Sequence, residues 1–129
     1  MDMDRHKTRL HDYAYKNAPW LSSVLFKGIR VGALPKWVPF CGIYLPFVKA
    51  IYVKSDEYAE IEFGTLVHEY RHAWQRYEWG WFRYLVKKAF CRKKIEADAE
   101  EWELNGVEWC GDTRSIEVIS HNIGKEIDR

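Results

Sequence analysis

The chain has 129 residues, of which 47% are hydrophobic and 30% charged. That is enough for one packed core, too little for two, and too apolar for a disordered tail. Twenty basic against nineteen acidic side chains leave a net charge of +1, which excludes a generally basic nucleic-acid binder.

No nucleic-acid partner is therefore expected, and no apolar run approaches the roughly 20 residues of a membrane span. The first ten residues are polar and charged and do not read as a secretory signal. Cys41, Cys91 and Cys110 share no Cys-x-x-Cys spacing. Reduced thiols and a cytoplasmic location are the expectation.

Residues 1–17 are polar, with Tyr13 and Tyr15 as their only rings. They predict a flexible or short helical arm on a single domain spanning 1–129. Residues 18–54 contain all four prolines, with β-branched and aromatic runs between the breakers. Two or three short strands joined by turns are predicted. In Lys49–Lys54, Ile51 and Val53 point one way while Tyr52 and Lys54 point the other.

From Ser55 onward there is no proline. Phe63, Leu66, Val67, Tyr70, Ala73, Trp74 and Tyr77 mark one face of a long helix ending near Gly80. Ser55 or Asp56 is the expected cap. A second helix is predicted over Trp81–Cys91 and a third over Lys94–Leu104, stopped by Asn105-Gly106. A short last helix is predicted from Asp112 or Thr113 to Asn122. The fold class is α+β, a small antiparallel sheet followed by three or four helices.

The chemistry concentrates in His68-Glu69-x-x-His72. On a helix, positions i and i+4 share a face, so two imidazoles there can hold one metal ion. Glu69 lies beside that face, where a carboxylate can take a proton from a water activated by Zn²⁺. A third protein ligand is needed. Glu96 follows His72 by 24 residues, and Glu100 lies a turn further on. One of these carboxylates binds the metal; the other accepts the N–H of a ligand imidazole.

The His68-Glu69-x-x-His72 helix, followed by Glu96-x-x-Ala-Glu100, resembles the gluzincin branch of zincin metallopeptidases. The surrounding residues are similar to small bacterial and phage domains of that kind. The resemblance covers about residues 28–104. It implies that His68, His72 and Glu96 are zinc ligands, that Glu69 is the catalytic base, and that Glu100 supports the site. It also implies that a peptide or protein substrate adds to an edge strand beside the active-site helix, here Lys49–Lys54. The implied activity is hydrolysis of peptide bonds, and the alternative is a non-catalytic zincin-like binding or structural module. Because the stricter Glu-x-x-x-Asp form is absent, Glu100 remains an alternative third ligand.

A donor is needed to stabilise an oxyanion, and His121, Tyr52 and Tyr77 are candidates. Residues 79–94 mix aromatic rings with six basic side chains and no acidic one. The expected reading is a helix whose apolar stripe packs on the core; a membrane-surface helix or phosphate patch is the other.

Overall fold

The computed structural model describes the backbone of residues 3–127 and the side chains of residues 3–111. Two helices come first: α1 (Met3–Lys16) and α2 (Pro19–Leu25), the latter with proline in its first turn. Three strands follow, β1 (Arg30–Leu34), β2 (Gly42–Leu45) and β3 (Ala50–Lys54), and then two long helices, α3 (Ala59–Phe90) and α4 (Arg92–Ile127).

The N-terminal segment is helical and part of the core. Leu10, Tyr13 and Ala14 of α1 are buried with Phe63, Leu66 and Val67 of α3 and with Cys110 of α4. Its polar side is also tied down. His6 Nε2 lies 2.9 Å from Glu62 Oε1, and Arg9 donates to Cys110 Sγ at 3.1 Å.

The sheet is mixed, with the order β1-β3-β2. β2 and β3 form an antiparallel hairpin, Gly42 opposite Val53, whereas β1 runs parallel to β3, Arg30 opposite Ala50. This corrects two expectations. The sheet is not wholly antiparallel, because the chain crosses from β1 to the far side of β3 before turning back. The strand Lys49–Lys54 is central, its backbone groups taken by neighbours on both sides, so it is not an edge. The free edges belong to β1 and β2. The alternation within β3 holds: Ile51 and Val53 are buried, Tyr52 and Lys54 half-buried.

Helix α3 starts after Tyr58, whose N–H donates to Asp56 Oδ1. Its axis breaks at Gly80, which takes φ 79° and ψ 167°, a conformation that only glycine adopts without strain. The segments 59–79 and 81–90 are thus separate rods, as the sequence predicts.

Helix α4 does not stop at Asn105-Gly106. That dipeptide serves packing instead. A Cβ on Gly106 would lie 3.0 Å from Val67 Cγ2, and one on Gly64 would lie 2.2 Å from Val107 Cγ2. The two glycines let α3 and α4 approach backbone to backbone, with the Asn105 carboxamide accepting from Tyr13.

The architecture is α+β and zincin-like, a small sheet beside a helical bundle with the His-Glu-x-x-His segment in the middle of the first rod of α3. No helix of the described residues is long and apolar enough to cross a membrane.

Candidate metal centre

His68, Glu69 and His72 sit mid-helix in α3, between the sheet and α4, and their ligand atoms lie within 4.8 Å of one another. The i, i+4 spacing sets the two imidazoles edge to face, 4.8 Å between centroids. Their Nε2 atoms face each other at 3.2 Å. Glu96, from the second turn of α4, closes the group. Its Oε2 is 3.3 Å from His68 Nε2 and its Oε1 is 3.3 Å from His72 Nε2. Two imidazole nitrogens and one carboxylate therefore point at a common place.

Both outer ring nitrogens meet acceptors. His72 Nδ1 faces Gln75 Oε1 at 3.0 Å. The Gln75 amide in turn donates to Ile95 O at 3.2 Å and to Asp98 Oδ2 at 2.9 Å. Asp98 is gripped in two-pronged fashion by Arg71, at 2.6 and 3.2 Å. Arg71 lies against the rings of Trp74 at 3.8 Å and Trp20 at 4.9 Å. This chain of contacts runs from the imidazole to the wall of the bundle. On the other ring, Glu103 Oε1 is 2.7 Å from His68 Nδ1, as a charge contact rather than an aligned hydrogen bond.

The place expected for Glu100 beside an imidazole is thus held by Glu103, and Glu100 is exposed, with no ion pair to His68 or His72 among the described residues. Seven residues from Glu96 bring the helix back to nearly the same azimuth, whereas four overshoot by roughly 40°. Glu103 and Gln75 were not expected from sequence. The i, i+3 relation of Gln75 to His72 and the i, i+7 relation of Glu103 to Glu96 are the signals that carry them.

Electrostatics follow from this packing. Burial pulls His72 below the ordinary histidine value. Burial pulls His68 the same way, but the Glu103 contact and the charges of Glu69 and Glu96 outweigh it and leave this ring above its ordinary value. Burial pushes Glu69 up to about 7, helped by Glu96 and Glu103 and opposed by His68. Three carboxylates around two imidazoles make a site suited to a cation.

The residues present fit a divalent metal. Glu69 Oε2 is buried and has no hydrogen-bond partner among the described residues. The inward-facing nitrogens meet each other and Glu96, with Glu69 Oε1 3.9 Å from His68 Nε2. Mixed imidazole and carboxylate donors are the chemistry that Zn²⁺ accepts.

The site opens into a cavity of about 340 Å³. It is lined by Gly42, Ile43 and Tyr44 of β2 and by Tyr84, Lys88 and Arg92 of the helices. A Cβ on Gly42 would lie 2.7 Å from Thr65 Cγ2, so β2 rests directly on α3. The Tyr44 hydroxyl is buried without a hydrogen-bond partner among the described residues. Tyr52 is absent from the cavity wall; its ring packs under Gly32. Tyr77 instead lies under Lys27 and Arg76. The side chain of His121 lies outside the described residues. Compared with protein-family models, curated proteins and solved structures, the chain matches none.

Proposed function

We propose that the protein is a zinc-dependent metallopeptidase of gluzincin-like design, with His68, His72 and Glu96 as the metal ligands and Glu69 as the general base. The observation that supports this reading most is the convergence of three donors at 3.2–3.3 Å from one another, with both outer imidazole nitrogens facing acceptors. That arrangement sets ring orientation and ligand basicity before any ion arrives.

Zinc held there supplies Lewis acidity, polarising a carbonyl and making water a nucleophile near neutral pH. Glu69 takes the proton of the attacking water and delivers it to the departing amine. Burial pushes its carboxyl up to about 7 before any ion binds, and a neighbouring cation draws it back toward the ionised form that a base needs. Glu103 and Gln75 hold the two rings; Asp98 and Arg71 hold Gln75. Tyr44 offers its unpaired hydroxyl to the developing oxyanion. An extended peptide enters along the free edge of β2, which walls the cavity, in place of the central strand.

The test is zinc content after purification, followed by Glu69→Gln assayed on a peptide library. The expected variant retains the metal and loses hydrolysis by about 10²- to 10⁴-fold. A wild-type protein that holds zinc yet cleaves no peptide would support the non-catalytic module instead.

A further inference from the structure

The segment 81–90 of α3 departs from what its sequence pattern leads one to expect. Phe82, Leu85, Val86, Ala89 and Phe90 follow the i, i+3, i+4, i+7, i+8 spacing of a core-facing stripe. All five face solvent, with Phe82 82% and Phe90 83% exposed. Tyr84 is the one buried side chain of the segment. The expected packing of this stripe on the core is therefore overturned: Gly80 turns the helix so that its opposite face, Tyr84 and Lys88, walls the cavity.

The charges are placed around the stripe. At about 100° per residue, the apolar side chains span an arc of roughly 140°. Arg83 and Lys87 flank it on one side, while Lys88, beyond its other edge, faces the cavity. Arg92, Lys93 and Lys94 follow directly and are exposed. The run 79–94 has six basic and no acidic residues in a chain of net charge +1. A second element extends the surface. In the β2–β3 turn, Phe47 stacks on Trp81 at 5.0 Å and 20° while remaining 79% exposed, and the adjacent Val48 is exposed too.

We infer that this face docks on the surface of an anionic phospholipid bilayer, with the helix lying in the interface plane. Apolar side chains enter the acyl boundary, and the flanking lysines and arginines meet phosphate-bearing headgroups. A purely apolar partner gives no reason for a rim of one charge sign; an anionic interface does. Because Tyr84 and Lys88 project from the same helix into the cavity, docking sets the cavity close to the bilayer surface. The inference goes beyond the peptidase reading and does not depend on it.

The experiment is co-sedimentation of the full chain with phosphatidylcholine vesicles, with and without phosphatidylglycerol. The variants are Phe82→Asp/Phe90→Asp and Arg83→Glu/Lys93→Glu, with circular dichroism as the check on folding. All four positions are exposed, so the variants are expected to fold. Binding is expected only with phosphatidylglycerol present. It should fall about tenfold or more in each variant and weaken as salt rises from about 0.1 to about 0.5 M. Three results overturn the inference. One is no binding to anionic vesicles. Another is equal binding to neutral ones. The third is concentration-dependent self-association, or uptake of a single-stranded oligonucleotide, that the same variants abolish while leaving vesicle binding unchanged.

Discussion

His68 and His72 are oriented by different acceptors, and substitutions can separate the contributions. Glu103→Ala removes the charge beside His68 Nδ1 without touching the inward nitrogens. Zinc affinity should drop about tenfold to a hundredfold by competition against a chromophoric chelator; an unchanged affinity would place Glu103 outside the site. Tyr44→Phe deletes a hydroxyl that pairs with no described residue. It should lower kcat by about 10- to 100-fold with KM nearly unchanged, whereas a parallel rise in KM would make Tyr44 a substrate-binding group. At this scale the His68, Glu69 and His72 cluster was legible because helical spacing alone brings i and i+4 together. Glu96 was legible as a candidate because a carboxylate on a following helix can return to the site. Glu103 was not. Which turn of α4 faces His68 depends on how α4 lies against α3, and two glycines set that approach.

Those glycines belong to the scale of whole elements. A methyl group at Gly64 meets Val107 Cγ2 at 2.2 Å and the Glu103 carbonyl at 3.1 Å, so the helices must part. Gly64→Ala should cost about 1–3 kcal/mol in urea unfolding and should weaken zinc binding as well, since Glu103 moves with α4. Loss of stability with full zinc affinity would contradict the link between that packing and the site. The break at Gly80 was readable from its place at the end of the apolar pattern. Asn105-Gly106 carries an equally good stop signal yet lies inside α4. Local propensity sees a flexible dipeptide, and only the neighbouring helix reveals that the missing side chain is what matters.

Across the whole molecule, α1, α3 and α4 share one core, and Cys110 is buried in it while Cys41 and Cys91 are exposed. Burial pushes the Cys110 thiol above its ordinary value, with Arg9 opposing. A raised folded value means that this group's contribution to stability is complete below the ordinary thiol value and is lost as pH rises through the folded one. Two thiols should therefore react promptly with a thiol reagent near neutral pH, and the third only on unfolding. In alkaline solution the wild type should lose more stability than Cys110→Ala. Prompt reaction of all three thiols would mean that α1 does not seal this face. The mixed sheet shows why tertiary order was the least legible feature. The β3 alternation fixes which side chains are inside, but nothing in it says which strand lies on either flank. A chain with short links between strands suggests neighbours in sequence order, and β1 crosses that order to pair with β3.

The central claim is that two imidazoles from α3 and one carboxylate from α4 meet on a single divalent ion. Zinc K-edge X-ray absorption on protein loaded with one equivalent of zinc tests it most directly. Two imidazole nitrogens and carboxylate oxygen at about 2.0–2.2 Å are predicted, with the imidazole scattering lost in His68→Ala/His72→Ala and the oxygen shell diminished in Glu96→Ala. Sulfur scattering near about 2.3 Å, or a spectrum unchanged by these substitutions, would contradict it.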